Sequence, residues 1–484
     1  MVGTVTNRIE ESLPKITAEK AASTISTDAT VLVSGFGSVG YPKSVPLALV
    51  EDDREFSLTV ISGGSTGAEI DTELVNAGAI TRRFPYQSRA ESRAAINSGD
   101  IHFHDRNISS VSDEVQYGRL ADPDIAIIEA VAVGEDWLIP STSIGHTPAF
   151  VESADRLIVE INHAQPLELQ LIHDVYRLEP PNERSPIPLT EPDGRIGSPR
   201  VTFNPDKLEA VVETERRDVP YSFRDPTDVD KAICANFAPF LIEELNRSSV
   251  YEDSVRLQFG VGSLGNALMN AFGDIDFDDR NLIYYGEVIQ DGLLDLIDSG
   301  KLASASATSL ALSEEGQDRL FSDIDRYAED IVLRPADISN NPTTIDRFGI
   351  IGVNSALEVD LYGHVNSTHI NGSRLMNGVG GSGDFNRNSL VSVTALPSIT
   401  SNGDLSRIVP MVSHVDHTEH DIDIIVTEQG VADLRGLSPS ERAQEIIGQC
   451  AHPTFRSQLQ EYVTQAESGH ISHDLENVFS WPPI

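Results

Sequence analysis

The stretch "LQFGVGSLGNALMNAF", residues 257–272, contains the pattern G-x-G-x-x-G at Gly260, Gly262 and Gly265. An apolar run precedes these glycines and a helix-like sequence follows them, which is the setting of a dinucleotide-binding turn. The same pattern recurs in "GFGSVG", residues 35–40, and in "GVGGSG", residues 378–383. Three such turns are too many for one cofactor, so their presence needs a different explanation.

The glycine turns also indicate how the chain is organised. Apolar runs alternate with amphipathic stretches along the sequence, which is typical of α/β architecture. Each half opens with a predicted strand that runs into a G-x-G-x-x-G turn, and a proline-rich zone at 177–200 separates the halves. We therefore predict two related open α/β domains in tandem, at residues 1–200 and 205–484.

The 484-residue chain is strongly acidic, with 75 Asp and Glu residues against 35 Lys and Arg residues and a net charge of −40. This charge argues against nucleic acid or an anionic membrane as a partner. Lysine is scarce, and the acidic residues are spread along the chain rather than collected in a tail. We interpret this surface as adapted to high salt, because the Debye length falls to ~3 Å at ~1 M salt and self-repulsion is then screened.

The sequence predicts a soluble, cytoplasmic protein. Its apolar stretches, such as "DIAIIEAVAV" at 124–133, are far shorter than the ~20 residues that cross a bilayer, and the chain opens without a signal-peptide pattern. Cys234 and Cys450 are far apart and lie in no C-x-x-C motif, so neither a disulfide framework nor a cysteine zinc site is expected. The histidines of "HVDHTEHD" recur at every third residue, but they lie between two predicted strands, and we expect no metal site there.

The glycine turns fit three classes of anion: a dinucleotide, another phosphate-bearing cofactor, or an oxyanion that forms during acyl transfer. A dinucleotide needs an acidic residue about 20 positions downstream. Pro42 and Pro46 disturb the helix expected after the first turn, whereas Glu287 lies at a suitable distance after "GVGSLG". Glu287 is also compatible with a nucleophile at the carboxyl end of a strand, or with an ordinary glutamate at a helix N-terminus. The residues alone leave these alternatives open.

Several long motifs narrow the choice. They are "LIPSTSIG" (138–145), "GEVIQDGLLDLIDSGKL" (286–302), "YGHVNSTHINGSRLMNGVGGSGDF" (362–385) and the segment 409–453, which begins "VPMVSHVDHTEHD". These motifs resemble the acetyl-CoA hydrolase/transferase family of class I CoA-transferases. The resemblance implies two CoA-transferase-type α/β domains, a homodimer, and no cofactor beyond coenzyme A as a substrate. It also implies acyl-CoA and a short-chain carboxylate as binding partners.

The resemblance implies covalent catalysis by Glu287. Its carboxylate would attack the acyl-CoA thioester to give an acyl-glutamyl anhydride, and the returning CoA thiolate would then form a glutamyl-CoA thioester. We expect a CoA-transferase for short acids, with acetate the first choice. The alternative is an acetyl-CoA hydrolase, in which water resolves the same intermediate. A regulatory acyl-CoA-binding protein is a third interpretation, but it predicts a broken nucleophile position, and Glu287 is intact in its motif.

The resemblance also assigns the remaining site residues. The catalytic residues are Glu287, Asn340 and Gly381, the carboxylate-substrate residues are Arg217 and Glu428, and the CoA-binding residues are Gly260, Val261, Gly262, Ser263, Leu264, Asn377, Gly381 and Ser401. An arginine suits a bidentate grip on a carboxylate, so Glu428 is interpreted either as the residue that orients Arg217 or as a protonated donor. Ser401 stands where the family often has a lysine, and Arg387 or Lys43 is considered as a substitute charge.

Overall fold

The computed structural model describes residues 4–86, 89–118, 120–220 and 224–482. The chain divides into two compact units. The first unit comprises Met1–Ser222, Tyr285–Ile297 and Ala303–Thr344, and the second comprises Phe223–Tyr284, Asp298–Leu302 and Ile345–Ile484. Within the described ranges, no helix is both long and apolar enough to cross a membrane.

The strands of the described residues, in chain order, are β1 (Thr30–Val33), β2 (Leu58–Ser62), β3 (Ile80–Phe84), β4 (His102–Phe103), β5 (Ile125–Val133), β6 (Trp137–Pro140), β7 (Arg156–Asn162), β8 (Val201–Thr202), β9 (Leu208–Thr214), β10 (Ser254–Phe259), β11 (Asn281–Tyr285), β12 (Val288–Ile289), β13 (Leu302–Ala307), β14 (Ser309–Leu310), β15 (Ile331–Leu333), β16 (Ile351–Ser355), β17 (Glu358–Asp360), β18 (Val365–Asn366), β19 (His369–Ile370), β20 (Arg374–Leu375), β21 (Val391–Ala395), β22 (Ile408–Val409), β23 (Ile424–Thr427) and β24 (Gly430–Asp433).

The α-helices of the same residues are α1 (Ala18–Ala22), α2 (Ser44–Val50), α3 (Ala90–Ser98), α4 (Val111–Gln116), α5 (Thr147–Ser153), α6 (Asp228–Arg247), α7 (Ser263–Asp274), α8 (Asp291–Asp298), α9 (Glu314–Ser322), α10 (Ile324–Tyr327), α11 (Ala336–Ser339), α12 (Pro342–Phe348), α13 (Ser382–Asn388), α14 (Pro439–Gln449) and α15 (Pro453–Gln465).

The first unit is built on a parallel sheet with the strand order β4–β3–β2–β1–β5–β7–β9. The strands β6 and β8 continue from β5 in antiparallel pairing. All nine residues of β5 are buried, which explains its nearly continuous apolar sequence, because a parallel strand is covered on both faces. Its Ile127 joins a core with Val31 and Val60 that α1 and α2 cover.

The second unit has the strand order β11–β10–β16–β21–β23–β24. The first five strands of this order run parallel, and β24 pairs with β23 in the antiparallel sense. Ile446 of α14 and Leu459 of α15 are fully buried against Ile425 of β23 and Ala432 of β24. These C-terminal helices therefore cover the end of the sheet that lies farthest from β11 in the strand order.

In both units a glycine turn follows a strand that has later strands of the chain on both sides of it in the sheet. The strand β1 lies between β2 and β5, and β10 lies between β11 and β16. Open α/β sheets bind ligands beyond the carboxyl ends of strands at such points, where the strand order changes direction. The predicted fold class, with two related open α/β domains, is confirmed.

The division along the chain differs from the predicted boundary at residues 200–205. Residues 285–297 and 303–344, which the prediction placed in the second domain, lie in the first unit. Backbone hydrogen bonds account for this placement, since Leu310 N–H donates to Thr142 O (2.9 Å) and Asp174 N–H donates to Leu333 O (2.8 Å). Glu287 therefore belongs to the first unit.

Candidate active site

Glu287 lies immediately before β12 in the first unit. Its carbonyl oxygen accepts hydrogen bonds from the backbone N–H groups of Thr308 (2.9 Å) and Ser309 (3.2 Å), and β12 continues as a parallel pair with β14. The side chain is only partly buried, unlike those of Val288 and Ile289 that follow. The backbone is therefore fixed while the carboxylate remains accessible, and a nucleophile needs both properties.

Asn340 contacts the Glu287 carboxylate through its side chain. It follows α11 and is fully buried, and its Nδ2 donates a hydrogen bond to Glu287 Oε1 at 2.9 Å. The Ser339 hydroxyl donates to Asn340 Oδ1 (2.9 Å), which fixes the orientation of the amide. The structure thus brings together two predicted catalytic residues that are far apart in sequence. An amide donor orients the carboxylate without adding the positive charge that would reduce its nucleophilicity.

Residues 142–145 support both members of this pair, a role that the sequence analysis missed. Ile144 N–H donates to Thr308 O (2.9 Å), and Gly145 N–H donates to the Thr308 hydroxyl (3.0 Å). Gly145 O in turn accepts from Ala336 N–H (2.8 Å), the first residue of α11. The available signal was the motif "LIPSTSIG", which carries part of the family resemblance.

The turn "GFGSVG" follows β1 and closes on itself. Phe36 N–H donates to Val39 O (3.1 Å), and Gly37 has a φ of +67°. A Cβ atom on Gly37 would lie 3.4 Å from both Val288 and the Ser309 hydroxyl, so this turn contacts the segment that follows Glu287. The next helix, α2, begins only at Ser44, and the turn therefore lacks the continuous helix of a dinucleotide site.

The turn "GVGSLG" of the second unit has the predicted strand–turn–helix form. Gly262 caps α7 with a φ of +140°, and a Cβ atom on Gly265 would lie only 2.3 Å from Gly260 O. Glycine is therefore required at residue 265 by close backbone approach and at residue 262 by conformation. The side chain of Val261 is 45% exposed at this turn. Backbone N–H groups in the first turn of a helix are free to meet an anion, which suits the predicted CoA-binding role of residues 260–264.

A buried amide network connects this turn with the second glycine motif of the same unit. Gln258 and Asn354 exchange hydrogen bonds at 3.2 Å, and Asn354 Nδ2 also donates to Asn386 Oδ1 (2.8 Å). Asn386 lies in α13, which Gly381 caps. Asn377 donates to Ser367 O (3.2 Å) and to Gly378 O (3.0 Å), so it braces the loop before Gly381. Within the second unit, the amide network thus links the strand before Gly260 with the helix that follows Gly381.

Glu428 is a hydrogen-bonded carboxylate in the second unit. The Ser398 N–H donates to its Oε2 (2.8 Å), the Ser398 hydroxyl donates to its Oε1, and Gln429 Nε2 donates to Oε1 (3.0 Å). Burial alone would raise the pKa of Glu428, but these hydrogen bonds hold it below its ordinary value. Glu428 is therefore ionised near neutral pH, and its interpretation as a protonated donor is wrong.

Arg217 lies in the first unit and pairs with Asp318 there. Its Nη1 is 2.6 Å from Asp318 Oδ1, and the two side chains are 44% and 60% exposed. A pair with this exposure contributes little to stability and can exchange partners with an incoming carboxylate. Its predicted role in binding the carboxylate substrate remains a prediction.

Three further residues were candidates for contact with the negatively charged phosphates of CoA. Ser401 lies in an exposed turn, and Arg387 is exposed on α13. Lys43 is fully buried, with its ammonium group 2.5 Å from Glu129 Oε2 and 2.9 Å from Asp218 Oδ1. The expectation that Lys43 supplies charge to CoA is therefore wrong, because its charge is already engaged inside the first unit.

The histidine segment, residues 414–420, makes its side-chain contacts within the second unit. Across the described residues, no cluster of three or more His, Cys, Asp or Glu side chains could hold a metal ion. Instead, His417 is buried and its Nε2 lies 3.1 Å from the Ser382 hydroxyl, at the start of α13. Burial lowers the pKa of His417, so its imidazole is neutral at pH 7.

Comparisons with known proteins find relatives along nearly the whole chain. The chain is 47% identical to the succinyl-CoA:acetate CoA-transferase of Clostridium kluyveri over 96% of its own length and 88% of the relative's. It is 39% identical to the propanoyl-CoA:succinate CoA transferase of Escherichia coli, with 97% of each chain covered, and 40% identical to the acetyl-CoA hydrolase of Yarrowia lipolytica, with 92% and 90% covered.

Solved structures show the same fold at lower identity. RipA from Yersinia pestis superposes with a TM-score of 0.70 at 22% identity, covering 94% of this chain and 96% of RipA. A 4-hydroxybutyrate CoA-transferase from Porphyromonas gingivalis superposes with a TM-score of 0.63 at 21% identity, covering 95% and 97%.

The family assignment follows from the match of both halves. Residues 6–210 match the acetyl-CoA hydrolase/transferase N-terminal domain, and residues 316–463 match the C-terminal domain. Known members that share 38–47% identity with this chain are CoA-transferases and acetyl-CoA hydrolases, and this protein is accordingly an enzyme of that kind. The chain belongs to the acetyl-CoA hydrolase/transferase family.

Proposed function

We propose that this chain is a CoA-transferase that moves CoA between short-chain carboxylic acids, with acetate as one of them. The observation that carries the proposal is the 2.9 Å hydrogen bond from Asn340 to the partly accessible carboxylate of Glu287. The relative from Clostridium kluyveri is a succinyl-CoA:acetate CoA-transferase, so succinyl-CoA and acetate are the first substrates to test.

In the proposed first half-reaction, a Glu287 carboxylate oxygen attacks the thioester carbon of acyl-CoA. The C–S bond breaks, CoA leaves as a thiolate, and an acyl-glutamyl anhydride forms. The thiolate then attacks the Glu287 carbonyl carbon, the bond to the bridging oxygen breaks, and the donor acid leaves as a carboxylate. The product is a glutamyl-CoA thioester, and an acceptor carboxylate reverses both steps to yield the new acyl-CoA.

The proposed role of Asn340 follows from which atom it contacts. When the thiolate attacks the Glu287 carbonyl carbon, negative charge develops on a Glu287 oxygen. The Asn340 Nδ2 group already lies 2.9 Å from Oε1, so it can donate to that oxyanion without reorganisation. Removal of one such preorganised donor typically costs about 10²–10³ in kcat.

The glycine turns and the two charged residues have separate proposed roles. Backbone N–H groups of residues 261–264 and of Gly381 are proposed to bind CoA and the thioester oxygen, whereas the Gly260 N–H donates to Val353 O (3.1 Å). Arg217 is proposed to bind the substrate carboxylate, where a guanidinium offers two parallel donors. Glu428, which is ionised, is proposed to contribute to carboxylate selection by repulsion or by orienting a cation.

The covalent step can be tested directly by mass spectrometry. Wild-type protein incubated with succinyl-CoA and then reduced with borohydride should carry a modification on the peptide that contains Glu287. A Glu287→Ala variant should lose both the modification and turnover, whereas Glu315→Gln, an exposed glutamate in the first turn of α9, should retain both. Full activity of Glu287→Ala would refute the mechanism.

The second candidate is an acetyl-CoA hydrolase that uses the same intermediate. It is supported by the relative from Yarrowia lipolytica, which is an acetyl-CoA hydrolase at 40% identity. The discriminating assay supplies acetyl-CoA with and without succinate and measures new acyl-CoA and free thiol together. Free thiol without an acceptor favours the hydrolase, while new acyl-CoA with little free thiol favours the transferase.

A homodimer, a cytoplasmic location and adaptation to high salt are part of the same proposal. Sedimentation equilibrium on the full chain tests the dimer against the 52.6 kDa monomer mass. The salt proposal rests on the net charge of −40, and its test is a stability measurement described below.

A further inference from the structure

Lys43 is the centre of a buried ion cluster in the first unit that the proposed chemistry does not use. Its ammonium group contacts Glu129 Oε2 (2.5 Å), Asp218 Oδ1 (2.9 Å) and Tyr41 O (2.9 Å), which accounts for its three N–H donors. The side chains of Lys43, Glu129 and Asp218 are each at most 1% exposed. Taking such charges out of water costs several kcal/mol per ion, and apolar replacements are often as stable. A contribution to stability alone therefore does not explain why the chain keeps this buried ion cluster.

The two carboxylates of the cluster hold the start of the supporting segment 142–145. Asp218 Oδ2 accepts hydrogen bonds from the Thr142 hydroxyl and from Gln165 Nε2 (3.1 Å). Glu129 Oε1 accepts from the Ser141 hydroxyl (2.7 Å). The cluster thus fixes two consecutive side chains just where the chain turns towards the segment that follows Glu287.

The same segment then contacts the backbone that carries Glu287. Thr142 O accepts from Leu310 N–H (2.9 Å), and Ile144 N–H donates to Thr308 O (2.9 Å). Thr308 and Ser309 donate their N–H groups to Glu287 O. Hydrogen bonds therefore link Lys43, through Asp218 and Thr142, to residues 308–310, two of which donate their N–H groups to Glu287 O.

The cluster also anchors the residue next to Arg217. Asp218 O accepts a hydrogen bond from Gln317 Nε2 (3.1 Å), and the neighbouring residues Arg217 and Asp318 form their ion pair alongside it. Burial alone would lower the pKa of Lys43, but the Asp218 and Glu129 carboxylates hold this pKa above its ordinary value. The Lys43 ammonium group therefore stays charged near neutral pH, whereas burial raises the pKa of Glu129 to about 8.

We propose that Lys43 and Asp218 are positioning residues, which hold segment 142–145 through Thr142 against the residues 308–310 that contact Glu287, and which fix the main chain beside Arg217. The effect on rate rests on the proposed function, in which Glu287 is the nucleophile. The effect on the backbone does not, and it can be measured in the absence of any substrate.

The obvious variant, Lys43→Met, leaves two buried carboxylates without their cation and is expected to fold poorly. Thr142→Val is the sharper test, because it removes only the hydroxyl that donates to Asp218 and nearly preserves shape. Thr66→Val is the matched control. The Thr66 hydroxyl also donates to a buried aspartate, Asp71 (2.8 Å), which is paired with Arg83 (2.9 Å) in the same unit.

Two readouts are compared between these variants at matched salt. Hydrogen exchange of full-length protein should accelerate by about tenfold or more in the peptides that contain Ile144, Gly145 and Leu310 in Thr142→Val, and not in Thr66→Val. The kcat for succinyl-CoA and acetate should fall by about tenfold or more in Thr142→Val, with KM for succinyl-CoA within about threefold of wild type.

Each outcome bears on the proposal. Equal behaviour of the two variants in both readouts would overturn it, and so would a fall in kcat without faster exchange, or faster exchange with an unchanged kcat. If the wild-type protein forms no adduct on Glu287, the proposed function fails. In that case the kcat comparison no longer applies, and faster exchange limited to Thr142→Val would still support the structural part of the positioning proposal.

Discussion

Replacing Gly265 with alanine tests the steric basis of the glycine turn that follows β10. The added Cβ atom would lie 2.3 Å from Gly260 O, about 0.7 Å closer than such atoms approach in practice. Either the Gly260 carbonyl or the first turn of α7 must move by that amount. Because the obstacle is backbone, a side-chain rotation cannot relieve the contact.

The expected change in the free energy of unfolding of Gly265→Ala is the sum of two opposing contributions. Forcing an extra carbon into a packed position costs about 1–3 kcal/mol. Alanine inside a helix recovers up to about 1 kcal/mol relative to glycine, because the unfolded chain loses conformational freedom. Gly448→Ala supplies the second term alone, since Gly448 is exposed in α14 and an added Cβ would meet nothing within 4 Å. We therefore expect Gly265→Ala to be about 1–3 kcal/mol less stable than Gly448→Ala.

The functional consequence depends on the proposed role of residues 260–264 in binding CoA. A displacement approaching 1 Å in a group that positions substrate can cost about 10²-fold, so we expect kcat/KM for acyl-CoA to fall by about 10–100-fold in Gly265→Ala. Urea unfolding at fixed salt gives the stability difference, and initial rates with succinyl-CoA and acetate give kcat/KM. Gly448→Ala should match wild type in rate.

Two results would refute different parts of this reasoning. Equal stability of Gly265→Ala and Gly448→Ala would show that the turn accommodates the methyl group, contrary to the 2.3 Å approach. A less stable Gly265→Ala with unchanged kcat/KM would instead show that the glycine turn supports the fold without binding acyl-CoA.

Three further predictions test other contacts. Asn340→Ala should lower kcat by about 10²-fold, and Asn340→Gln should not restore kcat because the longer side chain misplaces the amide. A wild-type kcat in Asn340→Ala would contradict the proposed role of Asn340. The hydrogen bond to Asp360 and the nearby Glu419 raise the pKa of His364, so its stabilising charge is present below its unfolded pKa and is lost as pH rises through the raised value. The wild type should therefore lose stability over that interval, and His364→Gln should lose less; parallel pH–stability curves would contradict this. With a net charge of −40, the free energy of unfolding should rise as KCl increases from about 0.1 M to about 2 M, and no change would refute the salt-adapted interpretation.

Local features of the fold could be predicted from the sequence because they depend on neighbouring residues. The segment from β10 to α7 has an apolar strand, glycines at required positions and an amphipathic helix within about 20 residues, and each part favours the same local structure. The turn "GFGSVG" has the same G-x-G-x-x-G pattern but closes on itself before α2 begins at Ser44. The presence of Pro42 and Pro46 was sufficient to indicate that this turn differs.

Contacts between distant segments could not be predicted in the same way. Lys43 looked like a possible CoA ligand, since lysine is usually exposed, but its burial depends on Glu129 and Asp218, which come from other strands and loops. The supporting role of segment 142–145 depends on backbone N–H and C=O groups, and the residue types do not indicate which of these groups pair. The approach of Asn340 to Glu287 was expected only because a family resemblance supplied it.

The choice between transferase and hydrolase rests on a property that neither residue type nor overall identity encodes. Both reactions pass through a glutamyl-CoA thioester in the proposed scheme, and they differ only in whether a carboxylate or water attacks it. Relatives at 39–47% identity include proteins of both names, so the degree of similarity does not decide between them. In that scheme the Glu287–Asn340 contact would serve both attacks equally, because it would stabilise the same oxyanion. The deciding quantity is therefore the ratio of acyl transfer to hydrolysis at a given acceptor concentration. A variant that relaxes the support beneath Glu287, such as Thr142→Val, should shift this ratio towards hydrolysis if exclusion of water depends on that support.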